Sequence, residues 1–295
     1  MMWKNTVNFI GCDAEYAESE VVIFGAPFDS TTSFRPGTRF AGQSVRNDSY
    51  GLEIYSPYQD KELPENVVYD CGDLELAIGS SEKVLEQIRE CTESILKDGK
   101  LPFMIGGEHL VTLGSVRAAA ERYPDMHIIH FDAHTDLRED YLGVKLSHAC
   151  VIRRCWEVLG MQDKSKSADG RIHQFGIRSG EKVEFDWARE GHTDFHPFTL
   201  DGLDEVLEQI GDAPVYFTVD LDVMDPSVFP GTGTPEPGGV DFLTAMRGVT
   251  KVCERVNLIG CDVNELCPPC DPTGASTAAA CKIIREMLIA VTNRK

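Results

Sequence analysis

Eight short apolar runs recur along the chain and predict β-strands. They lie near residues 20–26, 66–71, 101–105, 126–131, 171–177, 193–198, 214–219 and 256–263. Several of these runs are continuously apolar rather than alternating, which is typical of strands that are covered on both faces. The run at 193–198 fits this pattern least well.

Segments with the apolar spacing of a helix separate these runs. They lie near residues 81–97, 109–122, 148–160, 201–210, 240–254 and 275–291. The alternation of strand and helix favours an α/β fold in which a mainly parallel sheet lies between two layers of helices. No proline- or serine-rich linker, charge block or internal repeat divides the sequence, so we expect residues 1–295 to form a single domain.

The charge balance narrows the range of partners. The chain carries 48 acidic and 28 basic side chains, which gives a net charge of −20. Nucleic acids and anionic membranes attract basic proteins, so neither is an expected partner. A surplus of acid would instead raise the local concentration of a cationic ligand. No apolar run is long enough to cross a membrane, and residues 1–12 lack the pattern of a secretory signal, so we expect a cytoplasmic protein.

The most informative residues follow the run at 126–131. Asp132, His134 and Asp136 come directly after it, at intervals of two residues. Side chains alternate between the two faces of an extended segment, so these three can point together from the end of one strand. All three belong to residue types that bind metal ions.

Two further groups of the same residue types follow other predicted strands. Asp220 and Asp222 come after the run at 214–219, and His109 follows the run at 101–105 after two glycines, which would let the backbone approach a crowded site. An aspartate in such a position often only caps a helix or a turn. The carboxyl ends of parallel strands open onto one crevice, however, so we expect all six side chains to meet there.

These six side chains define the chemistry of the expected site. Four ionised carboxylates placed together would repel one another unless cations held them, and two divalent ions balance four negative charges. Ligation rich in oxygen, with a minority of imidazole, suits manganese better than zinc. We therefore infer a centre with two Mn²⁺ ions, which would lower the pKa of a bound water and supply hydroxide at neutral pH.

Longer segments around these residues resemble the signatures of the ureohydrolases, the family of arginases and agmatinases. The three main matches are Gly-Gly-Glu-His at 106–109, Phe-Asp-Ala-His-Thr-Asp at 131–136 and Thr-Val-Asp-Leu-Asp-Val-Met-Asp-Pro at 218–226. Further matches lie at 33–40, 231–239 and 262–265, so the resemblance covers essentially the whole chain. The sequence looks most like short bacterial and archaeal agmatinases.

This resemblance implies the eight-stranded, three-layer αβα arginase fold, a cytoplasmic enzyme and assembly as a homo-oligomer, a trimer or a hexamer. It also implies a ligand set for each metal ion. One manganese would be held by His109, Asp132, Asp136 and Asp220, and the other by Asp132, His134, Asp220 and Asp222. Asp132 and Asp220 would therefore bridge the two ions.

The resemblance further implies hydrolysis of a guanidinium group, in which hydroxide attacks the guanidinium carbon and urea leaves an amine behind. Glu265 would pair with the cation, His148 would pass a proton to the leaving amine, and Asp136 would join them as a catalytic residue. These roles are physically reasonable, since a planar cation needs an opposed carboxylate and a leaving amine needs a proton donor with a pKa near the working pH. From sequence context alone, Glu265 could equally be an ordinary acid at a strand end, and His148 could simply begin a helix.

The loop at 137–148 bears on the substrate. Arginases resemble one another here in using asparagine and serine to hold the α-carboxylate of arginine, and this loop contains no asparagine. Glu139 and Asp140 would disfavour a carboxylate and suit the distal ammonium of agmatine, so we expect agmatine to be cleaved to urea and putrescine. Arg138 and Lys145 count against this, because either could hold the carboxylate of guanidinobutyrate or guanidinopropionate.

Two other classes of function remain open. A dinuclear metallophosphatase would need cations to clamp the phosphate, and Arg35 and Arg39 are the arginines in a recognisable motif that could serve. A non-catalytic protein that binds metal or another cation would keep the six ligands but need neither His148 nor Glu265.

Ten cysteines fit a reducing compartment, because most lie within apolar runs where a free thiol behaves as a small hydrophobic group. Cys267 and Cys270 are the exception and form a C-x-x-C pair. No second pair or nearby histidine completes a zinc site, and the pair does not follow a first strand as redox motifs do. We expect a loop of free thiols near the rim of the active site.

Overall fold

The computed structural model describes residues 7–162 and 167–294. Within them, eight strands form one sheet in which all neighbouring strands are parallel. The strands are β1 Val21–Gly25, β4 Val68–Asp73, β5 Leu101–Ile105, β6 His127–Phe131, β7 Ile172–Ile177, β8 Asp194–Pro197, β9 Pro214–Asp220 and β10 Asn257–Asn264, and a separate two-stranded ribbon pairs β2 Tyr55–Ser56 with β3 Lys61–Glu62. All eight predicted strands are confirmed, including β8 in the run that fitted the pattern least well.

The order across the sheet is β4-β1-β5-β10-β9-β6-β7-β8. The strand that is last in the sequence, β10, therefore lies in the middle of the sheet, between β5 and β9. Because all these strands run in the same direction, the carboxyl ends of β5, β10, β9 and β6 lie side by side at one edge. The backbone segments that leave these four ends build the candidate site.

The α-helices in the described residues are α1 Ala41–Ser49, α2 Ser81–Lys97, α3 Thr112–Arg122, α4 Val151–Gln162, α5 Lys182–Trp187, α6 Leu203–Ile210, α7 Phe242–Arg255 and α8 Ala275–Thr292. Helices α1, α6, α7 and α8 bury their apolar sides in a core on one face of the sheet, and α2, α3 and α4 do so on the other face. The three-layer arrangement is confirmed. None of the helices in these residues combines the length and apolar character that a membrane crossing requires.

Two helices were absent from the sequence prediction. The buried side of α1 carries polar residues, among them Arg46, whose Nε lies 2.8 Å from Asp70 Oδ2. An apolar stripe therefore does not mark this helix, because an ion pair replaces part of its apolar contact. Helix α5 has six residues and is too short to show a helical period. The predicted helices at 109–122 and 148–160 begin as 3-10 turns, His109–Val111 and His148–Cys150, before α3 and α4.

A candidate metal centre and active site

The predicted ligands lie at the carboxyl ends of the central strands. His109 begins the 3-10 turn after β5, Asp132 directly follows β6, and Asp220 is the last residue of β9. The two glycines before His109 are needed for packing, since a Cβ on Gly107 would overlap the backbone of Phe28. The glycines therefore let the backbone before His109 lie against the backbone of Phe28, as the sequence predicted for a crowded site.

A first group of ligands surrounds the imidazole of His109. Its Nδ1 lies 3.1 Å from Asp132 Oδ2, 3.2 Å from Asp136 Oδ2 and 3.5 Å from Asp220 Oδ2. All four residues are buried. The structure thus brings together the four side chains that the resemblance assigns to one metal ion.

A second group forms around His134. Its Nδ1 lies 3.0 Å from Asp222 Oδ2 and 3.5 Å from Asp132 Oδ1. The two carboxylate oxygens of Asp132 therefore face two different histidines, as a bridging ligand requires. The second expected bridge is less symmetric, because Asp220 Oδ1 accepts the backbone N–H of Asp222 at 2.8 Å.

A hydrogen-bond chain fixes the tautomer of His109. Thr218 Oγ1 donates to Asp262 Oδ1 at 2.6 Å and accepts the Nε2–H of His109 at 2.8 Å. Nδ1 of His109 consequently points at three carboxylates. Burial opposes a charged imidazole, but Asp132, Asp136 and Asp220 outweigh it and raise the pKa of His109 well above its ordinary value. The three anions thus require a positive charge at Nδ1, and a metal ion in place of the proton would supply it, so the donor set fits a metal ion.

Among the described residues, the carboxylates of Asp220, Asp136 and Asp222 also lack a neighbouring positive charge that would fully stabilise them. Burial, and then the neighbouring Asp222 and Asp132, raise the pKa of Asp220 well above its ordinary value. Burial, and then Asp132, raise the pKa of Asp136 to about 7. Asp222 Oδ2 is buried and has no hydrogen-bond partner in the described structure. Each of these groups would be stabilised as an anion by bound cations.

His130 is a site residue that the sequence reasoning missed. It could join His109 and Asp132 around an ion by position alone. Its hydrogen bonds assign another role, because Gln174 Nε2 donates to His130 Nδ1 at 3.1 Å and His130 Nε2–H then donates to Asp132 Oδ2 at 2.8 Å. His130 thus orients Asp132, an expected ligand, through a hydrogen bond. Its position two residues before Asp132, on the same face of the strand, was the available signal.

Two site residues adopt a left-handed backbone conformation that side chains other than glycine rarely take. The φ angles are 51° at Asp136 and 63° at Glu265. Such conformations cost about 1 to 3 kcal/mol and persist where the surrounding structure imposes them, often at functional sites. Here they turn the chain sharply after β6 and β10.

A cavity of about 220 Å³ lies above the carboxylate cluster. Its lining includes His109, His134, Asp136, His148, Asp220 and Glu265. The cavity thus joins the expected metal ligands to both residues that the resemblance assigns to substrate and proton transfer.

Glu265 is 5% exposed, and its Oε1 accepts the backbone N–H of His109 at 2.7 Å. Burial, and then the nearby Glu108, raise the pKa of Glu265 well above its ordinary value. A cation in the cavity would remove this penalty, because it would supply the missing opposite charge.

His148 is held by the segment that precedes α1. Its backbone N–H donates to Thr31 Oγ1 at 3.1 Å, and its Nε2 lies 3.3 Å from Ser33 Oγ. Thr31 is held in turn by the buried Glu108, whose carboxylate accepts both the Thr31 N–H, at 2.8 Å, and the Thr31 hydroxyl, at 2.5 Å. Burial lowers the pKa of His148 to about 4. The contribution of these three supporting residues was not visible in the sequence, since they meet His148 only after folding.

The acidic residues of the 137–148 loop do not lie where the sequence prediction placed them. Glu139 and Asp140 line a neighbouring cavity instead of the one above the carboxylates. Glu139 Oε1 lies 2.8 Å from Lys145 Nζ, and Asp140 accepts the N–H of Gly143. The expectation that these acids would receive a distal ammonium is wrong, because both are engaged within their own loop.

A parallel sheet whose carboxyl edge carries His/Asp groups able to hold metal ions defines the general class of this protein. The family model of the Arginase family matches residues 19–290. An agmatinase of Bacillus anthracis is 43% identical over 283 residues, which cover 95% of this chain and 95% of the relative.

Solved structures agree with this match. The crystal structure of a putative agmatinase from Clostridium difficile is 48% identical, has a TM-score of 0.89 and aligns over 95% of this chain and 99% of its own. A formiminoglutamase of Trypanosoma cruzi solved with Mn²⁺ is 19% identical, with a TM-score of 0.83, and covers 95% of this chain and 96% of its own, so it is similar in fold. The chain therefore belongs to the arginase family, as its motifs indicated.

Proposed function

We propose that this protein is an agmatinase, which hydrolyses the guanidino group of agmatine to urea and putrescine with the help of two Mn²⁺ ions. The observation that carries the proposal is the position of a buried carboxylate, Glu265, in the cavity that also contains the His/Asp cluster. The similarity to agmatinases over 95% of the chain supports the choice of substrate.

The ligand sets follow from the two groups of side chains. One ion would be held by His109, Asp132, Asp136 and Asp220, and the other by Asp132, His134, Asp220 and Asp222. Oxygen-rich donors favour manganese, and a fold neighbour was solved with that metal. When bound, the ions would supply a water of lowered pKa as the nucleophile.

Glu265 orients the substrate. A guanidinium that enters the cavity meets a buried carboxylate whose negative charge is destabilised by its surroundings, so pairing of the two charges is favourable for both. The planar cation is then held with its central carbon toward the carboxylate cluster. Guanidinium recognition also accounts for a carboxylate that the metal ligand sets do not use.

His148 relays a proton to the leaving amine. Burial lowers the pKa of His148 to about 4, below the working range that was expected for a proton donor, so the imidazole is neutral at pH 7. It would act as a relay, in which Nε2 takes up a proton that the nucleophilic water gives up and passes it to the leaving nitrogen. Ser33, 3.3 Å from Nε2, orients the ring. Asp136 lies in the same cavity and remains an expected catalytic residue, and bound cations would hold its carboxylate as an anion.

The positive side chains near the site are paired with glutamates, and one of them, Arg138, also lines the cavity. Arg138 Nη1 lies 2.6 Å from Glu181 Oε1, and its Nε lies 3.7 Å from Glu184 Oε2. Lys145 pairs with Glu139 at the surface, although such exposed pairs are weak. A substrate carboxylate would have to compete with glutamates for both cations, which disfavours guanidinobutyrate, guanidinopropionate and arginine.

A metallophosphatase finds less support. Arg35 donates to the carbonyl oxygens of Thr232, at 2.9 Å, and Gly233, at 3.2 Å. Arg39 is paired with Asp29. Both arginines thus hold neighbouring backbone and side chains, and neither is among the residues that line the cavity.

Three broader expectations belong to the same proposal. The chain would fold as a single domain over residues 1–295, assemble as a trimer or hexamer and work in the cytoplasm. Burial of both helical layers on one sheet supports the first, and the family resemblance supports the other two.

A urea assay with a panel of guanidino compounds tests the proposal. The manganese-loaded protein is offered agmatine, arginine, guanidinobutyrate and guanidinopropionate, and kcat/KM is measured for each. We expect agmatine to give the highest value. A higher value for another compound would replace the substrate while keeping the reaction, and no urea from any of them would reject guanidino hydrolysis.

A further inference from the structure

Cys267 and Cys270 form a close pair of free thiols in the turn that follows Glu265, a residue that lines the cavity. Their Sγ atoms are 2.9 Å apart, and the turn between them is held by a hydrogen bond from the Cys270 N–H to the Cys267 carbonyl, also 2.9 Å. The two residues between them are prolines, which restrict the backbone. A disulfide would need less than about 1 Å of further approach by the sulfur atoms. The turn therefore already has the shape that a bond between the thiols requires.

The buried member of the pair supports the wall of the active site. Cys267 Sγ–H donates to the carbonyl of Pro36 at 3.5 Å, and its backbone N–H donates to the carbonyl of Gly231 at 2.7 Å. Gly37 packs so tightly against Cys267 that a Cβ there would lie 2.9 Å from Sγ. Cys267 also follows Glu265 by two residues. A change at this sulfur thus acts on the backbone that carries the substrate carboxylate.

The same contact reaches His148 through the segment at 31–37. Arg35 binds that segment to the carbonyls of Thr232 and Gly233, and Ser33 at its other end contacts His148 Nε2. The segment therefore lies between the thiol pair and the expected proton relay. A shift of the segment would change the orientation of the imidazole without removing any metal ligand.

We propose that Cys267 and Cys270 form a redox-sensitive dithiol whose oxidation to a disulfide lowers the activity of the enzyme. Oxidation removes the proton that Cys267 donates to Pro36, so the segment at 31–37 loses one of its attachments. The partner is a low-molecular-weight disulfide, which both accepts the electrons and is small enough to reach the turn.

Two exchange steps balance the reaction. Cys270 is half-buried and is the accessible thiol, so its thiolate attacks the small disulfide, forms a mixed disulfide and releases one thiol. Cys267 then gives up its proton to solvent and attacks Cys270 Sγ, which forms the internal disulfide and expels the second thiol. Burial, and then the neighbouring Cys270, raise the pKa of Cys267 to about 12, so little of it is thiolate at neutral pH. The 2.9 Å contact between the sulfur atoms is what favours this second step. Two protein thiols are oxidised and one small disulfide is reduced to two thiols.

The test uses the manganese-loaded full-length protein, equilibrated with oxidised or reduced glutathione. Peptide mass mapping after alkylation follows the bond itself, and urea release from agmatine follows activity. We expect a Cys267–Cys270 disulfide in oxidised glutathione, with kcat/KM lowered by about five-fold, the size expected for loss of one hydrogen bond, and full recovery on reduction. Urea release rests on the proposed function, whereas detection of the disulfide by mass mapping does not. Failure of the redox inference and failure of the proposed function can therefore be told apart.

Two variants sharpen the result. Cys270→Ser removes the accessible thiol, so oxidised glutathione should no longer lower the activity. Cys71→Ser removes an exposed thiol on β4, away from the cavity, and should remain as sensitive as the unmodified protein. The inference is overturned if glutathione stays attached to Cys270 without an internal bond, if the internal bond forms without a change in activity, or if Cys270→Ser remains sensitive.

Discussion

At the scale of single residues, the site consists of groups that lack an opposite charge. Nδ1 of His109 faces three carboxylates, and Glu265 is a buried acid whose pKa is raised. Both arrangements are unfavourable in isolation and become favourable when cations enter, metal ions at the first and a guanidinium at the second. Metal ions would thus account for the carboxylates around His109, and a guanidinium would account for the buried charge of Glu265 in the same cavity.

The consequence for Glu265 can be measured directly. Glu265→Gln keeps an oxygen to accept the His109 N–H but removes the charge that orients the guanidinium. We expect unchanged manganese content and a loss of kcat/KM of at least about ten-fold, since a hydrogen bond to a charged group is worth about 1.5 to 3 kcal/mol. A variant with normal kcat/KM for agmatine would remove Glu265 from substrate binding.

For His148, the expected effect is on turnover and not on binding. His148→Gln should lower kcat more than it raises KM, because the proton is transferred in the transition state. The pKa near 4 means that the imidazole is protonated below about pH 4 and neutral above it. The ratio of the two kcat values should therefore stay constant between about pH 6 and pH 10. A ratio that changed with an apparent pKa in this range would contradict the assigned protonation state.

Glu108 offers a test of positioning. Its carboxylate holds Thr31, whose hydroxyl accepts the backbone N–H of His148. Glu108→Gln should lower kcat several-fold with little change in metal content, because the relay is displaced while the expected ligands stay. It should not raise KM, since loss of the charge at Glu108 favours the anionic form of Glu265. Thr32→Val is the matched control, since Thr32 also donates to Glu108, at 3.2 Å, but makes no bond to His148. Equal losses in the two variants would point to a general effect on folding.

At the scale of elements, the alternation of apolar runs was sufficient to predict the sheet. Five of the six expected metal ligands were predictable for a related reason, since spacing by two residues after a strand sets the face on which a side chain lies, whereas His109 was marked by the two glycines before it. Helix α1 was not predictable, because the buried Arg46 pairs with Asp70 from a distant strand. Glu108 was missed for the same cause, because its partner Thr31 is far away in sequence. His130 was missed although its position two residues before Asp132 was a local signal.

The close approach of β5 and the segment before α1 gives a prediction about an element. Gly107→Ala would bring a Cβ into the backbone of Phe28, so the turn carrying His109 has to move. We expect a loss of about 1 to 3 kcal/mol in the free energy of unfolding and weaker binding of manganese. Gly160→Ala in α4 is the control, because the added Cβ meets ordinary contacts and alanine favours a helix. Thermal and denaturant unfolding of both variants, with metal analysis, decide the matter, and a stable Gly107→Ala protein with normal manganese affinity would contradict the argument.

At the scale of the whole molecule, strand order decides which residues meet. Glu265 lies more than 100 residues from His109 in the sequence. Because β10 lies beside β5, the side chain of Glu265 nevertheless reaches the backbone N–H of His109. Apolar periodicity predicts that strands exist but carries no information on their order. For this reason the family resemblance, and not the pattern alone, linked Glu265 and His148 to the expected metal ligands.

The most direct measurement of the central claim is a manganese titration of metal-free protein, with urea release from agmatine as the signal. A dinuclear centre that serves guanidino hydrolysis predicts activity that rises with bound manganese and reaches its plateau at two ions per chain. Urea production that is complete without manganese, a plateau at one ion, or no urea at full occupancy of both sites would contradict it.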